Sequence, residues 1–340
     1  MPDDHLKIII PMAGFGTRLR PHTWSKPKPL VSAAGRAVLD HVLETFSTAP
    51  NFDDAEMVFI IGYLGDQVRA FMQANYPEVK AHFVVQDEMR GQSHAVAFAR
   101  EFMQGPTLLA FVDTLVETDL GFLADEEAQA VIWVKRVEDP RRFGVVEVGD
   151  DDRVTGLIEK PDNMDNDLAI VGFYYFKQGQ DLMAAIDQQL AADRQTKGEF
   201  YLADAVDMML KEGLHMRPER VDIWLDAGVP ATVLETNQYL LENGRDNTSE
   251  VPARADLTLT APVYIDPSAA ISNSSIGPYV SIGAHCVVEH STVRDTVLEE
   301  GAAVRNSHLN HSLVGSRARV EELRGSVNIG DDSSITGEPR

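Results

Sequence analysis

The chain has 340 residues, of which 44% are hydrophobic and 24% charged, and its formal net charge at pH 7 is −23. This length predicts about two domains, each large enough to bury a core. Because so negative a surface repels nucleic acid and anionic membranes, a phosphate-binding site here must be locally basic or bridged by a metal ion.

Short apolar strands alternate with amphipathic helices over residues 6–240. Strands are predicted at Lys7–Ile10, Met57–Ile61, Ala81–Val85 and Thr107–Val112. Apolar residues recur at helical spacing in the stretches 38–46, 64–72 and 95–103. This alternation predicts an α/β fold with a doubly wound, mainly parallel sheet of the Rossmann-like kind. Ligands of such sheets bind at the carboxyl ends of the strands.

The segment after the first strand, residues 13–30, combines glycines, cations and prolines. Gly14 and Gly16 let backbone N–H groups approach an anion closely. Arg18 offers a planar fork of donors to phosphate oxygens, and Lys28 lies between two prolines that stiffen the backbone. The third glycine of a dinucleotide fingerprint is absent, and no lysine completes a P-loop. The segment therefore predicts a phosphate-binding turn, although a lone Gly-x-Gly also fits a plain strand-to-helix turn.

Two polar residues stand at the ends of later strands. Gln86 follows the strand that ends at Val85, and Asp113 follows the strand Thr107–Val112. Because the glycine-rich segment also follows a strand, we expect all three to share one site. Taken alone, Asp113 would also suit a helix N-cap, and Gln86 would also suit an exposed surface position.

Together these segments resemble the signature of the sugar-1-phosphate nucleotidyltransferases, which include glucose-1-phosphate thymidylyltransferases and UTP–glucose-1-phosphate uridylyltransferases. The resemblance begins with Gly14-x-Gly16-Thr17-Arg18-Leu19-x-Pro21 and Pro27-Lys28-Pro29. It continues in the family's order with Gln86 and Gly91–Ala95, Phe111–Asp113, Phe143–Val146, Glu159–Pro161 and Trp224–Gly228. Ala13 and Val112 replace glycines that are common in the family, and neither change removes a charged group.

The resemblance implies a reaction in which a sugar-1-phosphate oxygen attacks the α-phosphorus of a nucleoside triphosphate. The products are a nucleotide sugar and pyrophosphate. Because the attacking phosphate is already an anion, catalysis consists of positioning and charge neutralisation. The implied catalytic residues are Arg18, Lys28 and Asp113, and the implied cofactor is Mg²⁺ held by Asp113 and Asp226. Alone, Asp226 would also suit a cap in a turn before Gly228.

The resemblance also implies how the substrates are held. The nucleotide-binding residues are Ala13, Gly14, Gly16, Thr17, Gln86 and Gly91, and the sugar-phosphate-binding residues are Gly144, Glu159 and Lys160. Gln86 can donate and accept hydrogen bonds at once, which suits the edge of uracil or thymine. We therefore expect dTTP or UTP, with glucose-1-phosphate as the favoured sugar phosphate. Taken alone, the pair Glu159-Lys160 would be an exposed ion pair.

After residue 250 the hydrophobic period changes. Aliphatic residues recur in two series with steps of six or five residues: Ile265, Ile271, Ile276, Ile282 and Val288, then Leu298, Val304, Leu309, Val314 and Val320. A hexapeptide period is typical of a β-helix. The tail resembles the left-handed β-helix that several branches of the family carry. We predict a catalytic domain at residues 1–241, a polar linker at 242–255 and a left-handed β-helix at 256–340.

Location and partners follow from other features of the sequence. The one cysteine, Cys286, cannot form an internal disulfide, and the acidic start of the chain does not resemble a secretory signal. No apolar run reaches the ~18 residues that a membrane span needs. We therefore expect a cytoplasmic protein that binds a nucleoside triphosphate and a sugar-1-phosphate but neither nucleic acid nor membrane. Homo-oligomerisation through the tail is also expected.

Two alternatives stay open at this point. In the first, the β-helix adds an acyltransferase activity, with a base chosen from His285, His290, His308 and His311. In the second, the chain is a catalytically silent regulatory subunit that binds nucleotide sugars. The presence of both Asp113 and Asp226 favours an enzyme over this subunit, because a sensor does not need a pair of metal ligands.

Overall fold

The computed structural model describes residues 5–338. Its contacts divide the chain into two compact units, which we call the sheet unit (Met1–Gly14 and Val42–Trp224) and the β-helix unit (Phe15–His41 and Leu225–Arg340). The residues 15–41 and 225–241 fall in the β-helix unit, whereas the sequence pattern groups them with the predicted catalytic domain. The domain boundaries drawn from the sequence stay a prediction.

The bounds of the elements follow the chain. The α-helices of the described residues are α1 Val38–Phe46, α2 Gly65–Asn75, α3 Gln92–Ala97, α4 Gly179–Ala191, α5 Leu202–Lys211 and α6 Pro230–Leu240. The strands before α6 are β1 Lys7–Pro11, β2 Ser32–Ala33, β3 Arg36–Ala37, β4 Glu56–Ile61, β5 Lys80–Val85, β6 Thr107–Ala110, β7 Thr114–Val116, β8 Ala130–Arg136, β9 Gly144–Val148, β10 Val154–Glu159, β11 Leu168–Phe176, β12 Met216–Arg220 and β13 Trp224–Asp226. Among residues 5–338, we find no helix with the length and apolarity needed to cross a bilayer.

The sheet unit is built on a mixed sheet with the strand order β10-β9-β11-β6-β1-β4-β5, in which β8 also pairs with β11 and β12. The strands β6, β1, β4 and β5 are parallel neighbours, as the β-α-β pattern predicts. By contrast, β11 runs antiparallel to β6, β8 and β9. Hydrophobic periodicity reports which residues are buried and not the direction of pairing, so the antiparallel part could not be read from it.

Burial explains why these segments form these elements. All five residues of β1 are buried, as expected for a central strand covered on both faces. One face packs against α3, α4 and α5 through apolar side chains that include Val96, Ile186 and Val206. The helix predicted over 95–103 is shorter in the structure, because α3 ends at Ala97 and a 3₁₀ turn follows at Arg100–Phe102.

The β-helix unit consists mainly of short parallel strands. They are β14 Leu257–Leu259, β15 Val263–Ile265, β16 Ala270–Ser272, β17 Ser274–Ile276, β18 Val280–Ile282, β19 Val287–Glu289, β20 Thr292–Leu298, β21 Ala303–Arg305, β22 His308–Val314, β23 Arg319–Glu321, β24 Arg324–Gly325, β25 Asn328–Ile329 and β26 Ser334–Thr336. One face stacks β16, β19, β21, β23 and β26 in that order. The halves of β20 and β22 serve the two other faces.

Stacking of the coils confirms the predicted β-helix. All ten aliphatic positions of the two series lie in one buried core. Val280 pairs with Thr296 and Thr296 with Ser312, so a coil here takes 16 residues rather than three full hexapeptides. The shorter coil explains the five-residue steps in the sequence. Val293, which lies in the gap between the two series, is also buried and stacks on Ile276.

Candidate active site

The row of parallel strands places several predicted site residues along one edge of the sheet unit. Ala13 and Gly14 follow β1, Gln86 follows β5 and Asp113 follows β6. Neighbouring strands lie about 4.8 Å apart, so the segments after β6 and β1 are adjacent. The chain leaves β1 toward β4 on one side and reaches β6 on the other, which makes this a topological switch point. In open α/β sheets, the crevice at such a point is the usual ligand site.

The start of the glycine-rich turn is packed closely against the end of β4. The backbone N–H of Met12 donates to the carbonyl of Ile60 at 2.9 Å. A Cβ atom on Gly62 would lie 2.7 Å from the carbonyl oxygen of Ala13, so only glycine fits there. Ala13 is buried, whereas Gly14 is exposed and has open space around its Cα. The backbone at Gly14 is therefore accessible to a ligand.

Gln86 is buried and its amide is held in one orientation. Its backbone N–H donates to Ile61 at 2.9 Å, and Nε2 donates to the carbonyl of Glu88 at 2.9 Å. Nε2 also lies 3.4 Å from Nδ1 of His94 on α3, a histidine to which the sequence assigned no role. The burial of Gln86 excludes the surface-polar interpretation. An oriented, buried amide is the kind of group that reads the edge of a base.

Gly91 lies immediately before α3 in a conformation that requires glycine. Its φ is +115°, and a Cβ atom would lie 2.6 Å from the backbone nitrogen of Phe200. The same segment is tied by two hydrogen bonds, from Phe200 N–H to the carbonyl of Arg90 and from Ser93 N–H to the carbonyl of Phe200. Gly91 thus allows the start of α3 to pack on the segment that leads into α5.

Asp113 lies in a tight turn between β6 and β7. The turn is fixed by the hydrogen bond from Thr114 N–H to the carbonyl of Phe111 at 3.1 Å, and by Thr114 Oγ1 donating to Val171 at 2.9 Å. The next element is the strand β7, so Asp113 does not cap a helix and that alternative is wrong. Its carboxylate is half-buried at the carboxyl edge of β6. Carboxylate oxygens are the ligands that hard divalent cations prefer.

Gly144, Glu159 and Lys160 are brought together by the hairpin of β9 and β10. Glu159 pairs with Gly144 across the two strands, and the backbone N–H of Lys160 donates to the carbonyl of Phe143 at 2.9 Å. A Cβ atom on Gly144 would lie 2.9 Å from Oε2 of Glu159. The missing side chain at Gly144 therefore leaves the carboxyl room to reach a ligand.

The charge state of Glu159 is unusual. Its side chain is only 10% exposed, and burial raises the pKa of the carboxyl to about 7, although nearby Lys160 acts in the opposite direction. The pair is thus not the exposed ion pair that the two residues alone would suggest. At neutral pH a carboxyl of this kind can accept hydrogen bonds from sugar hydroxyls in its ionised form and can donate one when protonated.

Tyr201, which no motif in the sequence marks, holds the ammonium of Lys160. Nζ of Lys160 donates to the phenol oxygen at 2.5 Å and lies 4.5 Å from the ring centroid. Burial acts to lower the pKa of Lys160, but the hydrogen bond to Tyr201 and the nearby carboxylate of Glu159 outweigh it and the pKa is raised. Lys160 also has a φ of +46°, a strained value for a residue with a side chain. The cluster therefore presents a fixed positive charge.

The β-helix unit carries the cationic part of the glycine-rich segment. Gly16 has a φ of +60°, and its carbonyl accepts hydrogen bonds from Leu19 N–H at 2.9 Å and from Thr23 Oγ1 at 2.8 Å. The turn continues as a short 3₁₀ helix, Thr17–Leu19, in which Thr17 and Arg18 are exposed. Lys28 is half-buried and begins a second 3₁₀ turn.

Asp226 lies just before α6 and is held by the first two turns of that helix. Thr232 Oγ1 donates to Oδ2 of Asp226 at 3.1 Å, and Thr236 Oγ1 donates to its backbone carbonyl at 3.1 Å. A Cβ atom on Gly228 would lie 2.7 Å from Oδ1. Thr232 is a second residue that sequence reasoning missed, because an isolated threonine in a helix carries no chemical signal.

The predicted residues fall into two groups. The sheet unit holds Ala13, Gly14, Gln86, Gly91, Asp113, Gly144, Glu159 and Lys160, and the β-helix unit holds Gly16, Thr17, Arg18, Lys28 and Asp226. Within the sheet unit, Gly144, Glu159 and Lys160 are in contact, and the residues after β6, β1 and β5 share one edge. Within the β-helix unit, Gly16 packs near Lys28, whose Cβ lies 3.3 Å from the position of an added Cβ.

Comparisons with known proteins agree on the kind of protein this chain resembles. The family model described as nucleotidyl transferase matches residues 7–243. A glucose-1-phosphate thymidylyltransferase of Streptomyces griseus is 29% identical over 93% of this chain and 93% of its own length. A low-salt glycan biosynthesis nucleotidyltransferase, Agl11 of Haloferax volcanii, is 28% identical over 93% of this chain and 94% of its own length.

Other relatives match a smaller share of the chain. The bifunctional protein GlmU of Methanocaldococcus jannaschii is 32% identical over 70% of this chain and 55% of its own length. Among solved structures, a UDP-glucose pyrophosphorylase complexed with UDP-glucose superposes with a TM-score of 0.59 at 17% identity, covering 70% of this chain and 99% of the other. At this identity the similarity shows the fold alone.

Proposed function

Because the chain belongs to the nucleotidyl transferase family, we propose that it transfers a nucleotidyl group from a nucleoside triphosphate to a sugar-1-phosphate, releasing pyrophosphate. The favoured substrates are dTTP or UTP and glucose-1-phosphate. The observation that carries this proposal is the row of segments after β6, β1 and β5, which places Asp113, Gly14 and Gln86 along one edge of the sheet. Two full-length relatives are themselves glucose-1-phosphate thymidylyltransferases, which supports the choice of substrates.

The sugar phosphate is assigned to Gly144, Glu159 and Lys160, with Tyr201 as an additional member. Lys160, held by Tyr201, supplies a fixed positive charge for the phosphate, while Glu159 accepts hydrogen bonds from the sugar hydroxyls. Both substrates are polyanions, so this charge offsets their mutual repulsion. Absence of a side chain at Gly144 leaves space for the sugar ring beside the carboxyl.

The triphosphate is assigned to the backbone of Ala13–Thr17 and to Arg18 and Lys28. Arg18 is exposed on its 3₁₀ turn, where its guanidinium can contact two phosphate oxygens at once. Lys28 is assigned to the α-phosphate region. Gln86 pairs with the base, which favours thymine or uracil because its amide matches an edge that both donates and accepts.

A divalent cation is the cofactor of this proposal, and Mg²⁺ is the ion we assign. Asp113 and Asp226 are half-buried carboxylates, the donor type that Mg²⁺ takes in combination with substrate phosphates. When bound, the ion supplies charge neutralisation at the reacting phosphates. Thr232 fixes one oxygen of Asp226 and so reduces the ordering that ion binding would require.

One observation bears on the bifunctional alternative. His311 Nδ1 lies 2.7 Å from Asp295 on the exposed surface of the β-helix, and such a pair can act as an oriented base. Release of free coenzyme A from acetyl-coenzyme A in the presence of an amino-sugar phosphate would support an additional acyltransferase activity.

The cytoplasmic location and the homo-oligomeric state stay predictions. Light scattering at micromolar concentration tests the oligomeric state.

The proposal is tested in the reverse direction. Incubation of the protein with UDP-glucose or dTDP-glucose, pyrophosphate and Mg²⁺ should produce glucose-1-phosphate and UTP or dTTP. The formation of both products can be monitored by ³¹P NMR. Formation of both products from the same nucleotide sugar supports the reaction. Binding of the nucleotide sugar with no triphosphate formed would instead support the silent regulatory subunit.

A further inference from the structure

The cationic loop, residues 15–30, is fastened to the last coils of the β-helix by a buried ion-pair cluster. Nζ of Lys26 forms an ion pair with Glu299 and lies 3.3 Å from Oδ1 of Asp331. The same ammonium donates to Ser316 Oγ at 2.8 Å. The side chains of Glu299 and Asp331 are 1% and 5% exposed. Carboxylates as buried as these are retained only where a cation compensates them.

Further contacts hold the same loop along its length. Ser25 Oγ donates to Oδ2 of Asp331 at 2.6 Å, and Ser32 N–H, just past the loop, donates to Oε1 of Glu299 at 3.0 Å. The Nε2 atom of His22 lies 2.6 Å from Oδ1 of Asn328, and His22 is fully buried. A Cβ atom on Gly330 would lie 3.0 Å from Pro21, so the loop backbone rests directly on the coil.

The cluster is an ion pair rather than a metal site. His22, Glu299 and Asp331 each offer a ligand atom within 4.8 Å of the others, an arrangement that a cation could use. However, the ammonium of Lys26 already contacts both carboxylates. Its positive charge does what a metal ion would do there, and it ties the cluster to the loop.

The fastened residues connect directly to the glycine turn. Thr23, between His22 and Ser25, donates through Oγ1 to the carbonyl of Gly16 at 2.8 Å. Its Cγ2 would lie 2.9 Å from a Cβ atom on Gly16, so the two residues are in tight contact. The path from Asp331 through Ser25 and Thr23 to Gly16 therefore fixes the backbone on either side of Arg18 and ahead of Lys28.

Resting on the proposed function, we propose that Glu299, Asp331 and Asn328 of the β-helix are positioning residues for nucleotidyl transfer, which hold the cationic loop in the conformation that binds the triphosphate. They touch neither substrate in this proposal and act through Lys26, Ser25 and His22. The β-helix thus contributes to the affinity for the nucleotide, in addition to any role in self-association. Charge-assisted hydrogen bonds to phosphate depend on geometry, so a loop that is no longer held in place should bind the triphosphate measurably more weakly.

The test compares neighbouring aspartates in the full-length chain. Asp331→Asn removes the charge that pairs with Lys26 but keeps an oxygen that can accept from Ser316 N–H. Asp332→Asn is the matched control, because Asp332 pairs with Arg317 inside the β-helix at 2.7 Å. We expect Asp331→Asn to raise the KM for the nucleoside triphosphate by about 10- to 100-fold with little change in the KM for sugar-1-phosphate, and Asp332→Asn to change neither.

A second measurement does not depend on turnover. Hydrogen exchange of residues 15–30 should become faster in Asp331→Asn and in Asn328→Ala, and stay unchanged in Asp332→Asn. Lys26→Arg should preserve both the exchange protection of the loop and the KM for the triphosphate. Lys26→Met should make the exchange faster and raise that KM. A merely structural defect would lower the active fraction and leave the KM of the remaining active protein unchanged.

The outcomes separate the two proposals. Unchanged exchange in Asp331→Asn and Asn328→Ala would overturn the clamp, whether or not the wild-type protein turns over. Faster exchange with an unchanged KM for the triphosphate would show that the loop is fastened without consequence for binding, and would overturn the positioning role. A wild-type protein that releases no pyrophosphate with any substrate pair would defeat the proposed function, and the exchange result would still decide the clamp.

Discussion

The phenol oxygen of Tyr201 lies 2.5 Å from Nζ of Lys160, although the two residues are 41 positions apart in the chain. This contact turns a flexible lysine into a fixed charge beside the buried carboxyl of Glu159. The contact lies between the β9–β10 hairpin and the segment that begins α5, where we propose that the sugar phosphate binds. The chemistry of the site therefore depends on a residue that is not part of any motif.

Tyr201→Phe should raise the KM for glucose-1-phosphate by about tenfold, because it removes one hydrogen bond to a charged group. The KM for the nucleoside triphosphate should change little, since the nucleotide is assigned to other residues. Tyr76→Phe, which removes a hydroxyl after the end of α2, serves as the control. Steady-state kinetics with each substrate varied in turn gives both constants, and an unchanged KM for the sugar phosphate would remove Tyr201 from the site.

The raised pKa of Glu159, about 7 against an ordinary value of 4.5, predicts a pH dependence of binding. The ionised carboxyl accepts hydrogen bonds from sugar hydroxyls, so the KM for glucose-1-phosphate should fall as the pH rises from about 6 to about 8. Glu159→Gln, measured under the same conditions, should lack this change and so separates it from titration of the substrate. A parallel pH profile in the two proteins would contradict the assignment.

The same raised pKa predicts that Glu159 contributes less to the free energy of unfolding as the pH rises, although substrate binding improves. A carboxyl whose pKa is raised on folding binds its proton more tightly in the folded chain, so its contribution to the free energy of unfolding falls as the pH rises from 4.5 to about 7. Glu159→Gln stays neutral and escapes this loss. Denaturant-induced unfolding should therefore show that the variant gains stability relative to wild type as the pH rises. A difference in free energy of unfolding that does not change with pH would count against the burial of this charge.

Asp113→Asn should lower turnover by about 100-fold or more at saturating substrates, because an amide is a much weaker ligand for a divalent cation. Asp53→Asn changes an exposed aspartate far along the chain from any predicted site residue and should leave turnover unaltered. Titration with Mg²⁺ distinguishes a weakened metal site, in which added ion restores part of the rate, from general damage. Full activity in Asp113→Asn would take Asp113 out of the mechanism.

Thr232→Val should raise the Mg²⁺ concentration for half-maximal rate by about tenfold, since Asp226 loses the hydroxyl that orients Oδ2. Thr232→Ser keeps the hydroxyl and should behave like wild type. Equal metal dependence in the Val and Ser variants would mean that Thr232 only caps α6.

Gly91→Ala should destabilise the chain by about 1–3 kcal/mol through its backbone strain and the clash with Phe200. Gly213→Ala is a matched control, because Gly213 has a φ of +98° but nothing within 4 Å of an added Cβ. The difference between the two midpoints in urea isolates the clash. Equal midpoints would show that the segment at Phe200 moves aside without cost.

The sequence predicted what depends on local patterns. The helix α1 has the predicted bounds, Val38–Phe46, and β1 extends the predicted strand by one residue. The aliphatic steps located the β-helix core, because each coil buries its own residues against the next. The glycines at positions 16 and 91 also follow from local structure, because both have a positive φ and a close neighbour that leaves no room for a Cβ atom.

Contacts between distant segments could not be predicted from the sequence. The antiparallel pairing of β11, the hydroxyl of Tyr201 and the loop clamp at Asp331 each join residues far apart in the chain, and single residue types carry no signal of their partner. Lys26 is an example: it lies two residues before Lys28, and nothing in the sequence indicates that its ammonium is held by Glu299 and Asp331. Only the packed structure separates the two lysines.

The release of pyrophosphate tests the central claim most directly. The protein would be mixed with Mg²⁺ and glucose-1-phosphate, and each of the nucleoside triphosphates dTTP, UTP, ATP, GTP and CTP would be added separately. Our account predicts rapid release with dTTP or UTP, dependent on the sugar phosphate, and slow release with the others. Rapid release only with ATP, GTP or CTP would contradict the role of Gln86. No release with any triphosphate, also when mannose-1-phosphate, galactose-1-phosphate and amino-sugar phosphates replace glucose-1-phosphate, would contradict nucleotidyl transfer itself.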